Sequence, residues 1–324
     1  MKHIFIINPA AGRESFQKEL EKQIPIAAEA CSVQYEIYRS TGVRDAEERV
    51  RAYCLEYPDD RLRFYSCGGD GTLNEVFNGV ANFSNTEVAV IPYGTGNDFV
   101  KNFENNRLFL DIKAQINGNS IEIDGMKVGN RYAVNIVNMG FDCSVVETTA
   151  KIKRRPFVPS SLAYIFGVII EFVKLPGVDI KKLVIDDEEI HTDSLLLCTF
   201  AGGAFYGGGF HGSPLARVDD GFIDICSVKP ISRLKFASFI GRYKNGTHLS
   251  DPKIRKYLYY HKCERAYIDF GEERNICIDG EITNTNKLSI EIVPKKFNFV
   301  LPLGITYEAT RHEEVQETKE LISV

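Results

Sequence analysis

The spacing of apolar and polar positions changes about a third of the way along the chain. From residue 1 to about 120, short apolar runs alternate with stretches of helical spacing. Ile4 to Ile7, Val33 to Tyr38, Leu62 to Cys67 and Val88 to Ile91 read as strands. Between them, Glu14 to Ala30, Asp45 to Tyr57 and Thr72 to Val80 read as helices, the last with Leu73, Val76, Phe77 and Val80 on one face. That alternation predicts an α/β domain, a doubly wound parallel sheet with helices on both faces. After about residue 120 the runs become short and alternating: Ile121 to Ile123, Tyr132 to Val137, Lys182 to Ile185, Leu195 to Phe200, Phe222 to Ser227, Ala266 to Phe270 and Ile276 to Ile278. Glycine-rich turns separate them, which predicts a mostly antiparallel β-sandwich. The α/β domain is thus expected at 1–122, completed by the C-terminal segment 303–324, and the β-sandwich at 123–302.

Ser161 to Leu175 is the most apolar helix candidate, bounded by Pro159 and Pro176 and interrupted by Glu171. It is too short to span a bilayer. Two readings stand: a buried helix, or one that leans on a membrane or covers a lipid tail. The preceding Lys151 to Pro156, KIKRRP, suits an anionic membrane surface or is a solvated charge run. The tail from about Gln316 is charged and expected to fray.

Composition narrows the class. A chain of 324 residues with 44% hydrophobic and 26% charged residues is globular material for about two domains. A net charge of −5 gives no general electrostatic reason to bind nucleic acid. The eight cysteines form no Cys-x-x-Cys pair and no cluster with histidine, so reduced core thiols of a cytoplasmic protein are expected, without structural zinc. Lys2 is followed by a short apolar run and a turn, the pattern of a first strand and not of a signal peptide. An edge strand in the second domain would give two copies a way to pair as a homodimer.

Candidate chemistry gathers where strands end. Asn8, Pro9, Ala10, Ala11 and Gly12 follow the first strand, Ser40, Thr41 and Gly42 the second, Gly68 to Thr72 the third, and Gly94 to Asp98 the fourth. Ligands of such sheets bind at the carboxyl ends of the strands. In Gly68 to Val76, GGDGTLNEV, glycines precede a helix whose first N–H groups lack partners and attract an anion such as phosphate. Asp70 would repel a bare phosphate, so it points to a bound cation, to a proton to be moved, or merely to a helix cap. Asp279 and Glu281 are two apart: on a continuous strand they share a face, while Asp279-Gly280 is also the signature of a type I′ hairpin turn.

These motifs resemble, over nearly the whole chain, the diacylglycerol kinase catalytic family, which also includes sphingosine kinases and bacterial lipid kinases. The opening Ile6-Ile7-Asn8-Pro9-Ala10-Ala11-Gly12, the signature Gly68 to Val76, the turn Gly94-Thr95-Gly96-Asn97-Asp98-Phe99, the block Ser213 to Gly221 and the late Asp279-Gly280-Glu281 appear in the family's order. Ala11 and Arg13 depart from the Ser and Lys common in the opening motif. The resemblance implies an NAD kinase/phosphofructokinase-like first domain and an ATP-dependent phosphotransferase acting on an alcohol group. The acceptor would be diacylglycerol, giving phosphatidic acid, or a related lipid. ATP and Mg²⁺ are the implied cofactors, and a lipid substrate at a membrane surface is the implied partner of a cytoplasmic, membrane-visiting enzyme. By the same resemblance Asn8, Pro9, Gly12, Thr41, Gly68, Gly69, Asp70, Gly71, Thr72, Asn74, Glu75, Gly94, Thr95 and Asn97 form the nucleotide pocket. Glu281 is the base, Asp279 holds or orients it, and Asp70 and Asp98 reach Mg²⁺, joined by Asp124. A second, structural Mg²⁺ would sit on the carboxylate of Asp220 and the carbonyls of Arg217 and Phe222, where the residues alone also read as an ordinary Asp-Gly hairpin. Alternatives are a kinase for a soluble substrate such as NAD and a nucleotide-sensing regulator without turnover. Phe205, Tyr206 and Phe210, in the glycine-rich run Ala201 to Gly212, would touch an acyl chain or fill the core.

Overall fold

Apolar runs in the first third are continuous where a strand is buried on both faces, as at 3–7, 62–68 and 86–91, while the edge strand at 35–39 is mostly exposed. In the computed structural model, which describes residues 1–12, 14–153 and 160–310, these runs form β1 (Lys2–Ile7), β2 (Tyr35–Arg39), β3 (Leu62–Gly68) and β4 (Thr86–Pro92). Helices α1 (Glu14–Ala30), α2 (Asp45–Glu56), α3 (Asp70–Val80) and the short α4 (Ile112–Ile116) connect or follow them. The strands are parallel in the order β2-β1-β3-β4, and Ile7 lies opposite both Arg39 and Cys67 while Gly68 lies opposite Pro92. All four strands therefore end at one edge, and backbone bonds stitch the departing turns together: Asn8 N–H to Cys67 O at 3.0 Å, Ser40 N–H to Ile7 O at 2.9 Å and Tyr93 N–H to Gly68 O at 3.0 Å.

The rest of the chain supplies β5 (Asn119–Val128), β6 (Arg131–Ala133), β7 (Ile136–Gly140), α5 (Phe141–Lys153), α6 (Ser160–Lys174), β8 (Val178–Asp179), β9 (Lys182–Ile185), β10 (Glu188–Ile190), β11 (Ser194–Leu195) and β12 (Leu197–Ala201). Then follow β13 (Ile223–Val228), α7 (Arg233–Lys244), α8 (Pro252–Arg255), β14 (Leu258–Cys263), β15 (Arg265–Ile278) and β16 (Glu281–Leu301). Strands β14, β13, β12, β7, β15 and the first part of β16 pair in that order, antiparallel throughout. The two predicted runs Ala266 to Phe270 and Ile276 to Ile278 are one strand. A bulge between Asp269 and Arg274 lets its first half pair with β9 and its second with β7, turning a corner of the sandwich.

The chain divides into two compact units, Met1–Gly125 with Pro294–Ala309, and Met126–Val293 with Thr310 onward. The segment that completes the first unit thus begins at Pro294, before the expected 303. The reason is aromatic packing: the end of β16 pairs Phe299 with Val88 and brings Phe297 to 4.9 Å from Phe77 and Phe299 to 5.1 Å from Phe99. Of the expected returning segment, 311–324 lie outside the described residues, as do Arg13, Arg154, Arg155, Pro156 and Pro159. All eight cysteines are free thiols, and seven of them are buried.

Candidate active site

Two glycine turns distant in sequence interlock at the edge where the strands of the first unit end. A Cβ on Gly69 would stand 3.2 Å from the Cα of Gly94, and one on Gly94 would meet Gly69 N at 3.0 Å and Asn97 Oδ1 at 2.9 Å. The helix starts at Asp70, two residues before the predicted Thr72, because Gly69 takes the N-cap position with extended backbone (φ −102°, ψ −169°). Asp70, Gly71 and Thr72 thereby form the first helical turn, whose N–H groups have no intrahelical acceptor. Gly68 is needed for a different reason, since a Cβ there would stand 2.8 Å from the Cβ of Thr72. A Cβ on Gly71 would meet nothing within 4 Å.

Asp70 ties the two turns together. Its Oδ1 accepts the N–H groups of Asp98 at 2.8 Å and Phe99 at 3.2 Å, while a Cβ on Gly96 would lie 2.9 Å from Asp70 Oδ2 and 3.3 Å from Asp98 Oδ2. Two carboxylate oxygens therefore converge on a spot that only glycine leaves open. Lys101, absent from the sequence reading, donates to Asp98 Oδ1 at 2.5 Å and Gly96 O at 2.9 Å. Its position three residues after Asp98 on a helical turn was the available signal. Asn97 adopts the left-handed conformation (φ 49°) and donates its amide to Gly94 O at 2.9 Å. Its Oδ1 is buried without a hydrogen-bond partner, an acceptor left over inside the turn.

The other predicted nucleotide residues divide. Asn8 Nδ2 donates to Thr72 Oγ1 at 2.9 Å, joining the first and third turns, and Asn8 Oδ1 accepts from Ala10 N–H. Pro9 O and Ala11 O both bind the amide of Gln17. Gly12 is a glycine twice over: its φ is +67°, and a Cβ would lie 2.6 Å from Tyr93 O. Thr41 and Thr95 are exposed, and the Thr41 N–H is bound by the Asp45 carboxylate at 2.7 Å. Asn74 and Glu75 have partners on α3 and α2. Asn74 is buried with its amide oxygen bound by Asn78, and Glu75 accepts the Ala46 N–H at the start of α2. Asp124 is buried, and its carboxylate accepts the Lys295 N–H at 2.8 Å.

In the second unit the hairpin reading of Asp279-Gly280 is the observed one. Ile278 pairs with Glu281, and Asp279 and Gly280 have φ of 44° and 93°. The inference that Asp279 and Glu281 share a strand face is therefore corrected: a turn separates them. The Asp279 carboxylate accepts three successive N–H groups, from Val134 at 2.8 Å, Asn135 at 3.1 Å and Ile136 at 2.7 Å. Asn135 in turn binds Gly202 and Gly203 N–H with its carbonyl and Phe205 O with its amide, so Asp279 organises the glycine-rich run. In that run Tyr206 is buried and donates to Asp142, and Phe205 stacks on His211. Glu281 is partly exposed and lies 3.4 Å from the guanidinium of Arg131.

At the expected structural metal site the Asp220 carboxylate already has protein partners. Lys262 Nζ donates to Asp220 Oδ2 and Asp224 Oδ2, both at 2.7 Å, and to Leu215 O at 3.2 Å, with all three charged side chains 2% exposed or less. Phe222 N–H takes Asp220 Oδ1, and Arg217 turns to Thr310 and Asp219. A resident ammonium thus stands beside the one side chain of the expected metal set. Burial raises Asp220 and lifts Asp224 to about 6 against the pull of the ammonium. Burial alone would discharge Lys262, but Asp224 and Asp220 outweigh it and hold the lysine above its ordinary value. Asp224 and Lys262 are direct cross-strand partners. A charged residue on an otherwise apolar strand face was the sequence signal for this pair.

The profile of the Diacylglycerol kinase catalytic domain matches residues 2–128, and that of the YegS C-terminal NAD kinase beta sandwich-like domain matches residues 135–301. Curated relatives include a diacylglycerol kinase of Staphylococcus carnosus, 28% identical over 280 residues that cover 85% of this chain and 87% of that protein. One of Staphylococcus aureus strain MRSA252 is also 28% identical, with 85% and 84% covered. Among solved structures, a diacylglycerol kinase from Bacillus anthracis superposes with a TM-score of 0.67 at 21% identity, covering 94% of this chain and 98% of that one.

Proposed function

Because the chain belongs to the diacylglycerol kinase catalytic-domain family, a kinase family whose phosphoryl donor is ATP, we propose that it phosphorylates a hydroxyl of diacylglycerol or a related lipid. The observation that carries this reading is the interlock of Gly69 with Gly94 at the first turn of α3, braced by Asp70. Glycines there let an anion approach backbone N–H groups closely, and the helix start favours its charge. Asp70 and Asp98 would hold a Mg²⁺ through water at the spot beside Gly96, where the ion would neutralise phosphate charge. Glu281 accepts the proton of the attacking hydroxyl. Asp279 keeps the backbone at 134–136 in place and takes no proton. Phosphoryl transfer asks mainly for such positioning and charge balance.

The test is phosphorylation of lipids in mixed micelles by labelled ATP, with diacylglycerol, phosphatidylglycerol, a sphingoid base and a polyprenol as parallel acceptors and NAD as the soluble one. Phosphate on a lipid that disappears with Glu281→Ala is the expected result. Turnover of NAD alone, or full activity of the variant, would overturn the reading.

A further inference from the structure

A glutamate at the mouth of a turn is a poor base unless something holds its carboxylate still. Its free torsions let it sample many rotamers in water, and ordering such a side chain costs up to about 2 kcal/mol. Among the described residues no hydrogen bond falls on the carboxylate of Glu281, and the cation that meets it is Arg131, whose Nη2 lies 3.4 Å from Oε2 with the two side chains 16 and 29% exposed. The backbone explains why they meet. Arg131 opens β6 directly after the turn Gly129-Asn130, where Val128 pairs with Arg131 and Gly129 takes a φ of +59°. Glu281 opens β16 directly after the turn Asp279-Gly280, where Ile278 pairs with Glu281. Asp279 braces both: its carboxylate holds the N–H groups of Val134, Asn135 and Ile136, just beyond β6, and its own N–H donates to Ile136 O at 2.9 Å. Little backbone freedom is therefore left between guanidinium and carboxylate.

We propose that Arg131 is the positioning residue of the base: its guanidinium fixes Oε2 of Glu281 and so turns Oε1 toward the acceptor hydroxyl. The inference deepens the lipid-kinase reading and rests on it for the role of Glu281. Magnitudes favour positioning over stability. A partly exposed ion pair is worth less than about 1 kcal/mol to the fold, whereas moving a reacting group by about 1 Å can cost roughly 10²-fold in rate. The residue type fits as well, since a planar guanidinium sets the direction of the carboxylate it meets and an ammonium does not. Asp279 cannot take the same part, because its carboxylate is already closed by three backbone donors.

The test compares the full-length wild type with Arg131→Ala, Arg131→Lys, Glu281→Ala and the double variant Arg131→Ala, Glu281→Ala in the mixed-micelle assay. Arg131→Ala should lose roughly 10- to 10²-fold in kcat, with KM for ATP and for lipid changed less than about twofold and an unaltered unfolding midpoint. Arg131→Lys should recover part of the loss. Guanidinium ion added at a concentration far below the denaturing range should restore Arg131→Ala and do nothing for Glu281→Ala. The double variant should be no slower than Glu281→Ala alone, because a residue that acts through another has nothing left to act on. Losses that multiply in the double variant, or a loss that falls on KM, would mean that Arg131 meets the substrate by itself and would overturn the proposal. A lowered midpoint without guanidinium rescue overturns it too, since the role is then structural. In these cases the wild type still phosphorylates lipid and the kinase reading stands; a wild type without turnover on any lipid takes both down together.

Discussion

The carboxylate of Asp279 accepts the backbone N–H of Ile136 at 2.7 Å and, with two neighbouring N–H groups, closes a buried three-pronged bond. Removing it strands three donors, each costing on the order of 1 kcal/mol or more. Asp279→Ala should therefore lower stability by about 3 kcal/mol in urea titration. Glu281→Ala breaks one partly exposed ion pair, worth less than about 1 kcal/mol, yet should lower kcat roughly 10²- to 10⁴-fold. Two variants two residues apart would thus fail by different assays. An Asp279→Ala protein of wild-type stability would show that this carboxylate is not structural.

Gly71 and Gly94 make a second contrast. Alanine at Gly94 forces a Cβ to 2.9 Å from Asn97 Oδ1 and should cost about 2 kcal/mol in thermal unfolding. Alanine at Gly71 meets open space inside a helix, where it should leave stability equal or raised by up to about 1 kcal/mol. The added methyl would still stand between backbone and phosphate. A well-folded Gly71→Ala protein with weakened ATP binding by calorimetry is expected; unaltered binding would move the phosphate away from that turn.

Lys262 is expected to act as the cation of its pocket. Lys262→Ala leaves Asp220 and Asp224 buried against each other and should destabilise by roughly 3–5 kcal/mol. Added Mg²⁺ should raise the melting midpoint of that variant and leave the wild type unmoved. A wild-type midpoint that falls with a chelator would restore a structural metal to this block.

Asp142 offers a pH test. Burial raises its carboxyl from 3.8 to about 6, with the Tyr206 hydroxyl pulling the other way. Because the folded value lies above the unfolded one, the stabilising contribution is complete below about pH 4 and is lost as pH rises through about 6. Across that window the wild type should lose on the order of 3 kcal/mol relative to Asp142→Asn. Parallel slopes of the two proteins in urea melts at each pH would contradict this.

Legibility in the sequence followed the local signals. Strands β1, β3 and β4 and helix α1 were readable because continuous apolar runs and helical spacing are local, and the glycine turns fall at one edge because parallel register puts them there. Helix α5 carries a weak helical signal because Val145, Val146, Thr148 and Thr149 are strand-favouring residues that packing on α6, β7 and β15 holds helical. The face relation of Asp279 and Glu281 misled because a period of two holds along a strand and fails across a turn. A charged residue on an apolar strand face marks Lys262 as unusual, but its partner Asp224 lies 38 residues away and only the fold pairs them. Helix α6 read as an undecided case, since spacing alone cannot say which of two apolar faces finds a partner.

Burial of seven cysteines has a practical side. Burial pushes the thiols of Cys54, Cys226 and Cys277 up to about 12, and Cys67 and Cys198 lie fully enclosed, so few of them offer a thiolate to an electrophile. Cys31, just past α1, is partly open to water and takes the Asn117 amide at 3.3 Å. The natural sequence thus carries a single handle for a maleimide dye, and nucleotide or vesicle titrations can be followed by fluorescence without removing any cysteine first.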